Sequence, residues 1–484
     1  MADIDIIEPP QAVFSLVPKA LALKIPALPL SVEDGTLVCA VPEGMEESAL
    51  RDLEFVTGRK VRCSPMPRAE LDSAIASAYP GGAQISNQHS GNKQSASSAA
   101  SVHSEGSAVS LASALIADAV RMGASDIHVE PYETFVRIRY RLDGVLREVS
   151  QPGVAQGRTL ISRLKIMADL DIAEKRRPQD GRLRVREEGR TIDIRVSTLP
   201  TDFGEKVVLR ILDKSRLQLD LARLGFEDAD LASFKKALKL PHGMILVTGP
   251  TGSGKTTTLY AALSYLNHPG VNITTIEDPI EYNLPGINQT HVRSDIGLTF
   301  AAALRSILRQ DPNVVMVGEI RDGETAEIAT RAALTGHLVL STLHTNDAPS
   351  AITRLKDMGI EPFLLAASLK MVLAQRLLRR LCAACREVDC ARPDLEPKLE
   401  PSMPSRQWRG RGCPECGGTG YRGRKAVYEI LPMEGAIADL VAAGATSSAI
   451  VSKAREQGFR TLREVALLQT GSGESSLEEV MRET

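Results

Sequence analysis

Gly249-Pro250-Thr251-Gly252-Ser253-Gly254-Lys255-Thr256 is a full GxxxxGK[ST] phosphate loop. An apolar run, Met-Ile-Leu-Val-Thr at 244–248, leads into it, and Thr257 continues into a segment that reads as a helix starting near Lys255. Strand, glycine-rich loop and helix in that order are the context the motif requires. The glycines let the backbone wrap until successive N–H groups point at one anion. The helix N-terminus adds its dipole, worth about 0.3–1 kcal/mol per exposed negative charge. Lys255 is expected to reach the β- and γ-phosphates, and the Thr256 hydroxyl to ligate Mg²⁺. Residues 249–257 therefore predict a nucleotide site.

Outward from the loop, 224–379 alternates short apolar strands with helical stretches, the mark of a parallel sheet with crossover helices. Strands are expected at 244–248, 272–276, 314–317 and 338–342. Hydrolysis needs an acid and a means of placing water, and two acidic clusters compete for that work. Thr275-Ile-Glu277-Asp278-Pro-Ile-Glu281 ends one strand. Asn313-Val-Val-Met-Val-Gly318-Glu319 has the apolar strand of a Walker B motif, with glycine where its aspartate usually stands and Glu319 one residue late. His337 and His344 flank the strand at 338–342, where one of them would sense the γ-phosphate.

The remaining chain divides by composition. Residues 1–80 read as a small α/β domain with Cys39 and Cys63 in its core, and the Ser/Gln/Asn-rich 81–107 as a flexible linker. A mixed α/β unit over 108–222 carries sixteen arginines between Arg121 and Arg216. Some of these guanidinium forks are expected to meet a phosphate and the others to be salt-bridged surface. Cys382-Ala-Ala-Cys385 and Cys413-Pro-Glu-Cys416 form two knuckles with 27 residues between them; four thiolates are enough for a closed tetrahedral Zn²⁺ site. Cys390 is a spare thiol.

Of the 484 residues, 43% are hydrophobic and 4% aromatic, and the net charge of −2 removes a whole-protein basic field for nucleic acid. No apolar run approaches the ~18 residues of a membrane span, and the acidic start MADIDIIEPPQ is no secretory signal. A cytosolic, multidomain protein is expected.

The loop at 249–256, an Asp box at 275–282, the aspartate-less Walker B at 308–321 and a His box at 335–347 together resemble the motor ATPases of type II secretion and type IV pilus assembly. The resemblance covers about 108–484, more loosely 12–80. It implies a RecA-like P-loop ATPase domain (223–380) after a mixed α/β, PAS-like domain (108–222), with a tetracysteine zinc module (381–430) and a helical C-terminus (431–484). It further implies a homohexameric ring that hydrolyses ATP at the cytoplasmic face of the inner membrane, recruited there by a membrane protein through the N-terminal domain. Lys255 and Thr256 would bind triphosphate and Mg²⁺, Glu281 would orient the attacking water, and Glu319 would support the metal. His337 and His344 would couple nucleotide state to movement. Arg195 and Arg210 match the arginines that approach the γ-phosphate, Arg141 is a third candidate, and their supply in trans would make the site composite. The tetracysteine domain and the tail 471–484 resemble secretion and pilus-extension motors rather than retraction motors. The region before the linker is short for the family and lacks the paired apolar–arginine pattern of a cyclic-dinucleotide domain, so no such ligand is expected.

Three alternatives stay open: a pilus-extension ATPase, a nucleic-acid translocase on the same core, and a binding-only nucleotide switch. The translocase would draw on basic residues around the metal module, Arg376, Arg379, Arg380, Arg406, Arg409 and Arg411. No nucleic-acid partner is expected.

Overall fold

The computed structural model describes parts of 17–75 and residues 102–484 other than 188, 214, 216–217 and 390–406, with backbone alone for 102–110. Residues 81–101 of the expected linker, Cys390 and Arg406 lie outside the described residues. The chain forms two compact units, Met1–Ala96 and Ser97–Thr484. In the first, β1 (Leu28–Glu33), β2 (Thr36–Pro42) and β3 (Val61–Met66) make a sheet with β2 antiparallel to β1 and parallel to β3. Cys39 is buried there among Leu37, Val41, Leu53 and Leu71. Cys63, read from the sequence as core, is exposed, because β3 is an edge strand with only its first residue buried.

The second unit opens with α1 (Val102–Met122), which begins inside the segment taken as linker. A six-stranded antiparallel sheet follows, built from β4 (Asp126–Pro131), β5 (Val136–Leu142), β6 (Val145–Ser150), β7 (Gln179–Glu187), β8 (Arg190–Thr201) and β9 (Gly204–Leu212), in the order β6-β5-β4-β9-β8-β7. Helix α2 (Val154–Met167) joins β6 to β7, and α1 and α2 share the sheet's apolar face. Alternation decides the faces: Val136, Ile138 and Tyr140 are buried between half-exposed Arg137, Arg139 and Arg141. One face packs, and the other collects charge.

Helix α3 (Asp228–Leu238) leads into the seven-stranded sheet that carries the phosphate loop. Its strands are β10 (Gly243–Thr248), β11 (Ile273–Glu277), β12 (Asn288–His291), β13 (Val314–Val317), β14 (Leu338–Leu343), β15 (Leu369–Leu381) and, after the short metal-module pair β16 (Arg386–Val388) and β17 (Trp408–Gly410), β18 (Tyr421–Pro432). The order is β12-β11-β13-β14-β10-β15-β18, parallel except for the last pair. Every residue of β10, β11, β13 and β14 is buried, as expected of parallel strands covered on both faces. Alternate residues enter different cores. Met244, Leu246 and Val315 meet α5 (Phe300–Ile307), α6 (Gly323–Leu334) and α7 (Ala348–Asp357), whereas Ile245, Val247 and Met316 meet α3 and α4 (Lys255–Leu266).

β15 and β18 pair from Met371↔Pro432 to Leu381↔Tyr421, so the cysteine module is an insertion between two strands of this sheet. A module boundary at 430 therefore falls within β18. The charged start of β18, Tyr-Arg-Gly-Arg-Lys, hides a strand from any pattern of apolar residues. Helices α8 (Pro362–Ser368), α9 (Ala436–Ala442), α10 (Ser447–Glu456), α11 (Leu462–Gly471) and α12 (Leu477–Glu483) complete the unit.

Candidate active site

The loop 249–256 lies at the carboxyl end of β10, in the middle of the parallel sheet, where ligand sites of open α/β folds form. Gly254 caps α4 with φ 91°, a left-handed conformation that suits glycine. Pro250, Thr251, Gly252 and Thr256 are exposed, Thr257 is half-buried, and Ser253 is buried with no partner for its hydroxyl among the described residues. Lys255 is buried and folds back on its own loop, donating to the carbonyls of Gly249 (2.8 Å) and Pro250 (3.0 Å). Burial, with a smaller push from Arg376, holds its ammonium down to about 8 against the pull of Glu319. The residues fit a triphosphate: amides, an orphan hydroxyl and a lysine whose charge lacks a carboxylate partner. Above pH ~8 the lysine of the free site loses its proton, and a bound polyphosphate restores it. Nucleotide binding is expected to take up close to one proton at pH ~9 and little at pH 7. Calorimetric titration in buffers of different ionisation enthalpy measures that uptake.

Glu319 follows β13. Its carboxylate takes Arg321 Nη2 at 2.6 Å and His344 Nε2 at 3.3 Å. Burial raises its pKa, but these two neighbours outweigh burial and leave it below the usual carboxylate range. Arg321 Nη1 also lies 3.7 Å from Asp278, tying the two acidic clusters together. At Gly318, where a Walker B aspartate would be expected, the backbone of β11 runs close by. A Cβ there would meet the Ile276 carbonyl at 3.2 Å and Glu277 Cα at 3.3 Å. Gly318→Asp is expected to cost about 1–3 kcal/mol by overpacking, read as a fall in urea midpoint.

The Asp box divides its acids. Glu277 is buried and fully engaged, taking the hydroxyls of Tyr260 and Thr275 and the Gln289 amide. Glu281 is partly exposed, and Arg195 grips it: Nη1 sits 2.9 Å from Oε2 while Nη2 donates to the Ile280 carbonyl at 2.7 Å. This contact bridges the arginine-rich sheet and the phosphate-loop sheet across a cleft of about 410 Å³ that Arg182, Arg184 and Tyr282 also line. Cross-strand register adds what spacing does not show. Arg182, Arg195, Arg210, Asp126 and Arg141 are successive partners on β7, β8, β9, β4 and β5, and so form one row on one face. Asp126 joins Arg210 (3.1 Å) and Arg141 (3.4 Å). Arg182 is a member of the row that sequence reasoning missed.

The two histidines part company. His344 is at the site, bonded to Glu319. His337 is at the opposite end of β14, roughly 23 Å of strand away, with Nδ1 3.1 Å from the Ala332 carbonyl and its own carbonyl bound to Gly243 N. His337 therefore has no place at the phosphate loop of its own chain. Only the carboxyl ends of the strands carry that loop.

Cys382, Cys385, Cys413 and Cys416 converge with all Sγ atoms within 4.8 Å of one another. Separations of 3.8, 3.9 and 3.7 Å for 382–413, 385–416 and 413–416 match the ~3.8 Å edge of a tetrahedron with ~2.3 Å metal–sulfur bonds. Burial opposes charge on Cys416, yet the amides of Cys413 and Gly420, each 3.2 Å from its Sγ, help hold the thiol below its usual range. The set is compatible with zinc.

A phosphate loop with acids gathered at neighbouring strand ends is the layout of a P-loop ATPase. The particular family follows from comparison: residues 102–482 match the family described as Type II/IV secretion system protein, and the chain belongs to it. Residues 1–85 match the MshEN domain. The type IV pilus assembly ATPase PilB of Myxococcus xanthus (strain DK1622) is 45% identical over 98% of this chain and 86% of that protein. Type II secretion system protein E of Klebsiella pneumoniae is 52% identical over 78% of this chain and 76% of that protein. Among solved structures, the pilus retraction motor PilT with bound ADP is similar with a TM-score of 0.52 and 28% identity, over 76% of this chain and 95% of that one.

Proposed function

We propose that this ATPase powers pseudopilus assembly and protein export in a type II secretion system. It acts as a homohexamer, peripheral on the cytoplasmic face of the inner membrane and recruited by a membrane protein through residues 1–80. Among the described residues no helix is long and apolar enough to cross a membrane. The amides of 249–257 and Lys255 hold the triphosphate, and Thr256 offers its hydroxyl to Mg²⁺. Mg²⁺ neutralises charge on the β- and γ-oxygens when bound. Glu281 orients the attacking water, Glu319 supports the metal site, and His344, bonded to Glu319, carries nucleotide state toward the loop after β14. Arg195 and Arg210 approach the γ-phosphate, with Arg141 continuing their row.

One observation carries the motor reading. Arg195 grips Glu281 across the junction of two domains, so sliding one domain on the other must make or break a contact of the site. In this chain the grip occupies Glu281, and assembly of the ring is the event that opens it. Of the basic residues considered for nucleic acid, those described are engaged within the chain, which counts against the translocase reading. Arg376 is buried, and Arg379, Arg380, Arg409 and Arg411 pair with Glu479, Glu474, Glu387 and Glu387.

A second reading, a type IV pilus assembly ATPase, is favoured by the PilB match, which extends over nearly the whole chain. Lys255→Ala, introduced in the organism that carries the protein, separates the two. Loss of exported proteins from the medium with surface pili intact supports secretion; the reverse supports pili.

The cysteine site is assigned to Zn²⁺. Among the described residues the module's buried cluster consists of the cysteines, β16 and β17 are three residues each, and Arg386 and Trp408 tie the module to Gly473 and Gly471, so a metal on the four sulfurs would be its main internal tie. Cys413→Ser is expected to abolish the one metal per chain found by elemental analysis and to cost roughly 2 kcal/mol or more of stability.

A further inference from the structure

We propose that Arg376 is a positioning residue of the phosphate loop, through which the last helix of the chain sets how well that loop receives a triphosphate. The proposal rests on the ATP-site reading above. β15 runs parallel to β10 with Thr248 opposite Ala374, which brings Gln375 and Arg376 beside the loop as it leaves the strand. Contact there is close: a Cβ on Gly249 would lie 2.5 Å from the Gln375 carbonyl and 3.2 Å from Arg376 Nη1. Thr258 in the helix after the loop donates to Gln375 Oε1 at 2.8 Å.

Arg376 is 7% exposed, and its guanidinium divides its donors among three segments. Nη1 binds the Gln375 carbonyl (3.0 Å) under the loop. Nη2 binds Asn346 in the His box, at its carbonyl (2.9 Å) and Oδ1 (3.4 Å). Nε binds the carbonyl of Glu483 in the last turn of α12 (3.2 Å). All four acceptors are uncharged oxygens. Among the described residues no carboxylate touches the guanidinium, and those of Glu483, Glu429 and Asp347 act on it only from farther off; such a buried cation gains from an anion brought nearer, and the phosphate loop is where one would come. The Glu483 carbonyl is one of the unpaired acceptors at a helix C-terminus, which favours a cation electrostatically.

Helix α12 does not depend on that bond for its place. Glu479, with a fully buried side chain, takes Arg379 at 2.9 and 2.7 Å and the Arg379 amide at 3.1 Å. The tail is thus fastened at Glu479, and its end carbonyl is presented to Arg376. Displacing the end of α12 removes one of three anchors from the guanidinium beside Gly249.

The test uses the full chain with Glu483 and Thr484 removed, with Arg376→Gln, and with both changes. ATPase KM and kcat, Mg·ADP affinity and melting temperature are measured for each. Losing a hydrogen bond to a charged group predicts a KM for ATP about tenfold higher in the truncated chain, with kcat within about twofold. Arg376→Gln is expected to raise KM further, and the double variant to match Arg376→Gln alone, because the truncation acts through that side chain. Melting temperatures of the truncated and full-length chains should agree. An unchanged KM on truncation, or an additive double variant, would overturn the proposal. If Arg376→Gln does not fold, the truncation decides alone. Lys255→Ala serves as control: nucleotide binding that survives it contradicts the site reading itself, separately from the role of Arg376.

Discussion

Arg210→Ala is expected to lower kcat by about 10³–10⁵, the range for removing an arginine that meets the charge of a phosphoryl transition state. The structure makes this a clean experiment. Arg210 is more than half exposed and its partner is Asp126, which keeps Arg141 when Arg210 is gone. No buried carboxylate is left unpaired, so stability should change by about 1 kcal/mol or less. Nucleotide affinity in the ground state should hold, since Lys255 and the loop amides are untouched. Single-turnover kinetics with a nucleotide-binding measurement separate the two effects. A variant that binds weakly but turns over normally once saturated would place Arg210 in binding and not in catalysis.

Glu281→Gln is the second large effect, with kcat expected to fall by about 10²–10⁴ for loss of a positioned base. Glutamine is nearly isosteric and its amide oxygen still accepts from Arg195, so the bridge between domains at Ile280 and residue 281 survives in weaker form. Glu277→Gln provides the contrast. That carboxylate accepts from two hydroxyls and an amide in the core, and its amide counterpart brings a surplus donor there. It should cost stability before chemistry. If Glu277→Gln removed hydrolysis in a fully folded protein while Glu281→Gln did not, the assignment of the two acids would be reversed.

How much of this was legible before the structure differs from residue to residue. Strands β10, β11, β13 and β14 were, because parallel strands buried on both faces read as short, mostly apolar runs, whereas β15 on the other side of β10 was not. The thiolate pairs were also legible, since CxxC spacing places two sulfurs of a knuckle on one side. The arginines at 195 and 210 were visible only by resemblance; fifteen residues of spacing do not say that they are cross-strand partners, and nothing local marks Arg182 as their neighbour. β18 was hidden because its first half is charged and is held by pairing with β15 rather than by its own pattern. Arg376 read only as one of the basic residues around the metal module, since a polar pair inside Met-Val-Leu-Ala-Gln-Arg-Leu-Leu acquires meaning only when β15 is laid beside β10. The fate of His337 was within reach: two residues flanking a strand stand at opposite ends of it, and only one end meets the phosphate.

This chain is expected to hydrolyse ATP at a site that ring assembly and the arginine-rich domain complete. The measurement that tests it most directly is the steady-state ATPase rate of the metal-loaded protein as its concentration is raised, for the wild-type chain, Glu281→Gln and Arg210→Ala. A composite site gives a rate that rises more than linearly with protein concentration and is lost in both variants. A rate strictly proportional to concentration that survives both substitutions would contradict it.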